Sequence, residues 1–437
     1  MFRELICATS FGLAFSAVAG FPTVSNVALS HGSGRDMLIT YDLAGGPAVV
    51  TVDIQTNVTG TAEGSQYASI GKSHLVCFSG DANRRVEPGS RSIRWAGRRA
   101  WRDHEINYDG LRAVLKVWPL NDTPDFMVVD LVATSNVHYY ASADEVPGGI
   151  ADGRYKTTSM LMKRMPAKTW GVWTMGSPSF EKTRDADNET PHAVELTRDY
   201  YMAVYQTTQG QYYYMTGSHG SSYGSLYNPE TPDYHPIGGV SWDSLRGTTV
   251  GSRWPNADEA VARDVDSSSV IGKLRTLTGV DFDLPTEAQW EFACRGGCQM
   301  MLYNGTYFTS TPTAQSDVIK EAEPIGWYSA NSGNPVGNWG AKDYTMPVGM
   351  KEANPFGLYD MIGNLYEWCL DWHAAAVASS TPDLDPVGPA TGTQRVRRSC
   401  SFTHIGYGMR CAFREFKEPS NADARNGFRL VCFGGLD

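Results

Sequence analysis

A glycine-rich stretch near residue 150 separates two halves of the sequence that follow different patterns. The stretch is VPGGIADG, residues 146–153, and few of its side chains are large enough to pack against a core. The chain has 437 residues, which is more than one hydrophobic core usually organises. The sequence therefore predicts two domains, one over residues 21–153 and the other over residues 154–437.

The first half has the pattern of an antiparallel β-sandwich. Short β-branched and aromatic runs alternate with Gly, Pro, Asn and Asp turns, as in DMLITYDL, AVVTVDIQTN, AVLKVW and FMVVDLVAT. Strands of this length and spacing are typical of immunoglobulin- and fibronectin-like sandwiches. No stretch of this half places His, Asp, Glu or Ser at a catalytic spacing. We therefore interpret it as a structural or adhesive domain.

The first 20 residues, MFRELICATSFGLAFSAVAG, predict a signal peptide. They combine an early arginine, an apolar run and small residues at Ala17, Ala19 and Gly20. The apolar run is short for a membrane span, and no later segment reaches about 18 apolar residues. The net charge of −10 argues against nucleic-acid binding, which needs a basic surface. We therefore expect an exported protein, secreted or periplasmic, with no membrane span and no nucleic-acid partner.

The second half is turn-rich and contains a few clear helices. Thr286 and Gln289 have the spacing of a capping box at the start of EAQWEFACR, and Gly296 follows as a left-handed stop. A second helix, VIGKLRTLTG, ends at Gly279 in the same way. The sequence therefore predicts a mixed α+β domain with much irregular structure.

Seven cysteines follow the predicted signal peptide, and six of them lie after residue 290. They are Cys77, Cys294, Cys298, Cys369, Cys400, Cys411 and Cys432. In an oxidising compartment disulfides are the default, and an odd number leaves at least one thiol unpaired. Zinc is not expected at Cys294 and Cys298, because no matching Cys or His cluster follows at the required spacing.

The segment NPFGLYDMIGNLYEWCLDW, residues 354–372, places a carboxylate on each side of a glycine in an otherwise apolar run. Asp360 precedes Gly363, and Glu367 follows it. Two such acids can act in catalysis, hold a metal ion, or form the polar edges of a core segment. The segment by itself leaves all three interpretations open.

The second half resembles the formylglycine-generating enzyme (sulfatase-modifying factor) family over roughly residues 158–437. Six motifs occur in the family's order, and they are WTMGS (173–177), TPHAVELTRDYYMAVYQTTQGQY (190–212), HPIGGVSWDSL (235–245), LPTEAQWEFACRGG (284–297), GLYDMIGNLYEW (357–368) and AFREFKEPSNADARNGFRL (412–430). The resemblance implies a compact, C-type-lectin-like fold with little regular secondary structure and with bound calcium. It is less specific for activity, because the same domain occurs in proteins that do not activate sulfatases.

The resemblance implies a calcium ion beside Gly363. In the family, the side chains matching Asp360 and Glu367 and the carbonyl groups matching Gly363 and Leu365 hold the ion, and this sequence fits all four positions. Calcium takes six to eight oxygen ligands from carboxylates and carbonyls, so these groups suit it. The alternative is that Asp360 and Glu367 only cap local backbone, and catalysis by them is the least favoured interpretation.

The resemblance also implies a second calcium ion near Asn331, Ser332 and Asp343. The loop between these residues is shorter than in the family. Ordinary turn formation explains Asn and Asp at such positions equally well. This second site is therefore an expectation that rests on an approximate match.

The family's oxidase activity depends on two cysteines that bind copper as thiolates. The corresponding stretch here is RRSCSFTHIGYGMRCAFR, residues 397–414. Ser401 matches the family's serine, His404 occupies the first copper position, and no cysteine occupies the second. Copper is therefore not expected. Ser401 and His404 remain candidate catalytic residues because they share this loop, although a lone histidine among aromatic residues is more often structural.

The resemblance also bears on the disulfide candidates. Cys294 matches a scaffold cysteine whose partner position lies near Cys432, displaced by two residues. Cys369 has Cys400 and Cys411 as alternative partners, and a bridge between Cys400 and Cys411 is a further alternative. The sequence does not choose between these connectivities.

Two functional hypotheses follow from the sequence. The first is a calcium-stabilised exported domain that binds a peptide or glycan ligand without copper chemistry, because the thiolate pair is missing. The second is a divergent oxidase that converts the active-site cysteine of a sulfatase to formylglycine, because six motifs of the family are present.

Overall fold

The computed structural model describes residues 4–6, 20–31, 36–58, 66–102, 104, 106, 108–132, 137–219, 232–248, 265–314, 316–332, 345–375 and 381–433. The described chain forms two compact units. The first unit contains the described residues up to Val128 together with Val137–Ile150. The second contains the described residues between 129 and 136 together with those from 151 to 433.

The first unit is built almost entirely from β-strands. Its strands are β1 (Glu4–Ile6), β2 (Thr23–His31), β3 (Met37–Ala44), β4 (Ala48–Asn57), β5 (Tyr67–Ser69), β6 (Phe78–Gly80), β7 (Arg84–Val86), β8 (Gly89–Trp95), β9 (Leu111–Pro119), β10 (Phe126–Asp130, whose last two residues belong to the second unit) and β11 (Val137–Tyr140). A short helix, α1, spans Gly97–Ala100.

Two antiparallel sheets share one apolar core in this unit. One has the order β2-β3-β8-β6, and the other has the order β1-β9-β4-β5 with β7 also paired to β4. Alternate residues of β3 are buried, as the period of a strand requires, and Ile39 lies in the same core cluster as Ile54 of β4 and Leu115 of β9. The sheet-rich character predicted for the first half is confirmed. An immunoglobulin- or fibronectin-like strand order stays a prediction.

Part of the predicted signal peptide belongs to this unit. Residues Glu4–Ile6 form β1, which pairs antiparallel with β9. Residues 1–3 and 7–19 lie outside the described residues. The signal peptide and the exported location stay predictions. Within the described residues, every helix is too short or too polar to cross a bilayer.

The second unit mixes short strands, short helices and long connections. Its strands are β12 (Ser159–Met165), β13 (Trp173–Met175), β14 (His192–Glu195), β15 (Tyr200–Ala203), β16 (Tyr366–Trp372), β17 (Asp383–Leu384), β18 (Arg395–Arg398), β19 (Arg414–Lys417), β20 (Asn426–Gly427) and β21 (Val431–Cys432). Its helices are α2 (Ala167–Trp170), α3 (Gln209–Thr216), α4 (Trp242–Arg246), α5 (Val270–Thr278) and α6 (Glu287–Arg295). The predicted mixed α+β class is confirmed for this unit.

The helix ends of the second unit follow from local sequence. The Thr286 hydroxyl accepts a hydrogen bond from the Gln289 backbone at 3.1 Å, and the Gln289 side chain accepts one from the Thr286 backbone at 2.9 Å. This is the predicted capping box at the start of α6. Gly296 and Gly279 end α6 and α5 with positive φ angles of 56° and 70°, as predicted.

A small sheet in the second unit brings two loops together. β19, β18, β16 and β20 lie side by side in that order, and Glu367 of β16 pairs with Arg398 of β18. Because β16 and β18 are antiparallel, the turn that precedes β16 and the loop that follows β18 lie at the same end of the sheet. The backbone N–H of Phe402 accordingly donates to the carbonyl of Asn364 at 2.8 Å.

Candidate functional site

The turn before β16 points backbone carbonyl groups toward the interior. Asp360, Gly363 and Asn364 all have positive φ angles, of 55°, 95° and 65°. A Cβ atom at Gly363 would lie 2.4 Å from the carbonyl oxygen of Trp327, so only glycine fits there. The sequence therefore needs Gly363 both for its backbone conformation and for the close approach of Trp327.

Four oxygen atoms converge on the side-chain amide of Gln206, which follows β15. The Gln206 Nε2 atom lies 3.3 Å from the Asp360 carbonyl oxygen and 3.3 Å from that of Gly363. It also lies 3.1 Å from the Leu365 carbonyl oxygen and 2.9 Å from Glu367 Oε1. We call these four oxygens the oxygen cradle. The structure thus brings together atoms of all four residues predicted to hold calcium, although Asp360 contributes its carbonyl oxygen here, whereas the prediction assigned its side chain.

The charge of Glu367 is already balanced by protein groups. The Arg429 guanidinium donates to both carboxylate oxygens, at 3.0 Å to Oε1 and 3.1 Å to Oε2, and both side chains are fully buried. The indole N–H of Trp290 donates to Oε2 at 2.7 Å. Sequence reasoning missed Gln206 and Arg429. Gln206 lies in the motif over residues 190–212 and Arg429 in the motif over residues 412–430. The only sequence signal that could have identified them is a polar residue among apolar neighbours.

The charge of Asp360 is not balanced in the same way. Its Oδ2 atom accepts a hydrogen bond from the Gly349 backbone at 2.7 Å, but its buried Oδ1 atom has no partner among the described residues. Burial raises the pKa of Asp360 to about 6. The positive charges of Arg429 and Lys156 oppose this rise only in part, so a bound cation would supply both a partner for Oδ1 and further positive charge.

The donor atoms of the cradle fit calcium. All of them are carboxylate or carbonyl oxygens, which a hard cation prefers over nitrogen or sulfur. The described residues contain no cluster of three or more His, Cys, Asp or Glu side chains suited to a metal ion. A cation here would therefore rely on backbone carbonyl groups, and calcium accepts such ligands readily.

The residues predicted for a second calcium ion serve the local backbone. Asn331 Oδ1 accepts from the Tyr328 backbone at 2.9 Å, and Asn331 Nδ2 donates to the Gly326 carbonyl at 3.0 Å. The Ser332 hydroxyl donates to the Phe402 carbonyl at 2.9 Å. Asp343 lies outside the described residues. These contacts match the turn-forming alternative, and the second calcium stays a prediction.

Ser401 and His404 lie in one loop but do not share a side-chain hydrogen bond. The Ser401 hydroxyl lies 3.2 Å from the Thr403 hydroxyl, and His404 Nδ1 lies 2.6 Å from the Ile405 carbonyl oxygen. Burial lowers the pKa of His404. A serine nucleophile needs a base within hydrogen-bonding reach, and the described contacts do not provide it. A catalytic role for the pair stays a prediction.

Aromatic rings surround His404. The rings of Tyr407 and Phe413 lie edge-on to the imidazole at centroid distances of 4.7 Å and 5.1 Å, and Tyr366 lies at 6.1 Å. Tyr407 is 36% exposed, whereas Phe413 is buried. Together these rings form an aromatic surface with Tyr407 at its outer edge. Exposed tyrosine rings of this kind contribute apolar contact area and a hydroxyl to ligand binding.

The two cysteines of the loop that corresponds to the family's copper site, Cys400 and Cys411, face different neighbours. Cys400 Sγ lies 3.0 Å from Met409 Sδ, whereas Cys411 lies near the thiol of Cys294, which donates to the Met361 carbonyl at 3.9 Å. Cys294, Cys369, Cys400 and Cys411 are all buried and carry free thiols. The proximity of Cys294 and Cys411 was not among the expected pairings. Cys432 lies in β21, where its backbone pairs with Tyr201, and the predicted disulfides stay predictions.

These sulfur atoms do not fit a two-thiolate copper site. Burial raises the pKa of Cys400, and burial together with the neighbouring Cys411 raises the pKa of Cys294. The thiolate form is the metal ligand, so a buried thiol held in its protonated form is a poor one. Cys400 and Cys411 also point to separate partners instead of to each other.

A separate cavity of about 680 Å³ opens beside α6 and the end of β16. Its lining is rich in ionisable groups, which include Glu189, Glu287, Glu291, Asp371, Asp383, Asp385 and Arg414. Burial and the neighbouring Glu287 carboxylate raise the pKa of Asp371 to about 7. Sequence reasoning did not select these residues, because they come from segments that are far apart in the chain.

Comparisons with known proteins identify a family for the second unit. The family model described as "Sulfatase-modifying factor enzyme 1-like domain" matches residues 161–432. The chain is 26% identical over 332 residues to the formylglycine-generating enzyme of Bos taurus, covering 69% of this chain and 82% of that protein. It is 38% identical over 217 residues to the formylglycine-generating enzyme of Thermomonospora curvata, covering 47% of this chain and 65% of that protein. Among solved structures, Treponema denticola variable protein 1 is similar with a TM-score of 0.44 and 25% identity, covering 63% of this chain and 95% of that chain.

Proposed function

Because the chain belongs to the family of sulfatase-modifying factor enzyme 1-like domains, we propose that it is a calcium-stabilised, exported binding protein that uses this fold for a peptide or glycan ligand without copper chemistry. The observation that carries this proposal is the placement of the sulfur atoms. Cys400 and Cys411 lie in the loop where the family binds copper, yet each is buried against a different neighbour. The loop therefore keeps its position in the fold without the paired thiolates that oxygen activation needs.

The aromatic surface at the same loop is the proposed ligand-binding face. Tyr407 is exposed at its edge, while His404 and Phe413 support it from behind through edge-on ring contacts. Arg410 fixes the base of the loop by donating to the Tyr407 carbonyl at 3.0 Å and to Glu189. A rigid aromatic ring with a hydroxyl loses little conformational entropy when it contacts a ligand, which favours recognition of peptides and sugars.

A copper titration tests the central claim. Cu(I) is added to the reduced full-length protein in competition with a chromogenic chelator, and we expect no stoichiometric binding. Stoichiometric binding that is lost in Cys400→Ser or Cys411→Ser, but kept in the control Cys77→Ser, would overturn the proposal. Cys77 is a suitable control because it is exposed and belongs to the first unit.

A formylglycine-generating oxidase is the second candidate function. The observation in its favour is that two of the relatives are named formylglycine-generating enzyme. The substrate test uses a Cys-x-Pro-x-Arg peptide, with mass spectrometry to follow conversion of its cysteine. Conversion by the wild-type protein would establish the oxidase, and absence of conversion together with absence of Cu(I) binding would exclude it.

The calcium part of the proposal predicts a chelator-sensitive fold. A bound ion stabilises the folded state by mass action, by about 2.7 kcal/mol when the free ion is a hundredfold above its dissociation constant. Chelator should therefore lower the melting temperature of the wild-type protein. Glu367→Ala should lower it as well and should remove the response to chelator, whereas Glu323→Ala, an exposed control, should keep that response. An unchanged wild-type melting curve in chelator would contradict the calcium proposal.

A further inference from the structure

The side-chain amide of Gln206 is surrounded by oxygen atoms at its nitrogen end and lacks a described partner at its oxygen end. A primary amide nitrogen carries two N–H groups, but four oxygen acceptors lie between 2.9 and 3.3 Å from Gln206 Nε2. At the other end of the same amide, Gln206 Oε1 is buried and has no hydrogen-bond partner among the described residues. Two of these acceptors have other donors, because Arg429 donates to Glu367 Oε1 at 3.0 Å and the Ser399 hydroxyl donates to the Gly363 carbonyl at 3.3 Å. The unpartnered atom of the amide is therefore Oε1, and buried polar atoms are rarely left in this state.

A half-turn of the amide exchanges its oxygen and nitrogen atoms without moving the rest of the side chain. Oε1 would then face the Asp360, Gly363 and Leu365 carbonyl oxygens and the Glu367 carboxylate. Five oxygen atoms in such proximity repel one another unless a cation lies among them. Neighbouring ligand oxygens of a calcium shell lie roughly 2.8–3.6 Å apart, and the observed spacing of 2.9 to 3.3 Å falls in that range.

We propose that Gln206 is a ligand of the calcium ion in the oxygen cradle and binds it through Oε1. This inference rests on the calcium part of the proposed function and adds to it a residue outside the motif around Gly363. Gln206 Oε1 and Asp360 Oδ1 are both buried oxygens without a hydrogen-bond partner among the described residues, and an ion bound by both side chains would satisfy them.

Charge distinguishes this assignment from the alternative in which the neutral amide fills the cradle in place of a metal ion. An NH₂ group in the cradle would bring no net charge to Asp360. Arg429 is committed to Glu367 and to the carbonyl groups of Ala203, Val204 and Tyr359. The Asp360 carboxylate would then keep an unpartnered buried oxygen, which is unfavourable.

The position of Gln206 gives the ion a structural role. The Gln206 side chain leaves the chain between β15 and α3, at a segment held by backbone hydrogen bonds from Val204 to Leu161 and from Thr207 to Phe428. The turn over residues 360–365 lies more than 150 residues further along the chain. Binding through Gln206 would therefore join these two segments through one ion. Ligands from residues 360–367 alone would not join the two segments.

Calcium binding to the full-length protein tests the assignment. The protein is freed of metal with chelator, and calcium affinity is measured by calorimetry for the wild type, Gln206→Met, Gln206→Glu and the control Gln209→Met. Gln209 is a matched control, because it is a buried glutamine whose Oε1 also lacks a partner among the described residues. Terbium provides a second readout, because Trp290 donates to Glu367 and can sensitise its luminescence.

We expect Gln206→Met to weaken calcium binding roughly tenfold or more, and Gln206→Glu to strengthen it, because a carboxylate adds ligand charge. Gln209→Met should bind as the wild type does. If the wild type binds calcium and neither Gln206 variant differs from Gln209→Met, Gln206 is not a ligand and the calcium proposal stands. If only Gln206→Glu binds calcium, the wild-type amide itself fills the cradle and both proposals fail. If no variant binds calcium or terbium, the calcium proposal fails as a whole.

Discussion

Replacing Asp371 by asparagine should stabilise the protein, by an amount that depends on pH. Asp371 lies near the end of β16 and is only 4% exposed. Its Oδ2 atom accepts a hydrogen bond from the Glu287 backbone at 2.8 Å, and the Glu287 carboxylate lies close by. Arg398 and Arg414 bind Glu287 and keep its pKa low despite its burial, so Glu287 remains charged. Asp371 must therefore ionise in a buried place beside a negative charge.

The size and sign of the effect follow from the pKa of Asp371. Burial and, after it, the Glu287 carboxylate raise this pKa from an ordinary 3.8 to about 7. At pH values above both pKa values, the difference lowers the free energy of unfolding by roughly 4 kcal/mol. A raised pKa of an acid means that the folded state binds the proton more tightly than the unfolded state. Stability is therefore lost as the pH rises from about 4 to about 7. Asparagine carries no charge and avoids this loss.

The assay is urea unfolding of the full-length protein, followed by tryptophan fluorescence between about pH 5 and pH 8. The unfolding free energy of Asp371→Asn should exceed that of the wild type by a margin that grows by about 2–3 kcal/mol across this range, because Asp371 of the folded wild type ionises only near the upper end of it. Asp383→Asn is the control, since Asp383 lines the same cavity but is exposed. Parallel curves for the wild type and Asp371→Asn, or a less stable variant at pH 8, would refute the reasoning.

Two further predictions concern buried polar contacts of the second unit. Arg410→Met should lower the free energy of unfolding by about 3–5 kcal/mol, because it leaves the buried carboxylates of Glu181 and Glu189 without their shared partner. The control Arg99→Met, at an exposed position, should change it very little, and chemical unfolding measures both variants. Thr286→Ala should lower stability by about 1 kcal/mol through loss of the α6 cap, and Thr286→Ser should restore it in the same assay; equal stability of the two variants would contradict the capping role.

The parts of the fold that the sequence predicted are those determined by neighbouring residues. The capping box of Thr286 and Gln289 joins residues three apart, and the glycines that end α5 and α6 act through their own backbone angles. Likewise, the oxygen atoms near Gly363 come from residues within one turn and its following strand. Such features require no knowledge of which distant segments meet.

The contacts that complete the cradle could not be predicted in this way. Gln206 lies 161 residues before Glu367, and Arg429 lies 62 residues after it. Their positions depend on how β15, β16 and β20 are arranged, which periodicity within each strand does not specify. The same limit applies to the proximity of Cys294 and Cys411, which come from distant segments of the chain.

The oxygen cradle and the aromatic surface are physically connected through their backbones. The N–H of Gly363 donates to the Ser399 hydroxyl at 2.8 Å, and the N–H of Phe402 donates to the Asn364 carbonyl at 2.8 Å. Ser399 and Asn364 both have positive φ angles, which non-glycine residues hold only when surrounding contacts enforce them. These hydrogen bonds are such contacts, so a cation that fixed the turn would also help to fix the loop that carries Tyr407. A loop already ordered by buried hydrogen bonds and ion pairs loses less entropy on binding a ligand, so a cation in the oxygen cradle would favour the ligand binding proposed above.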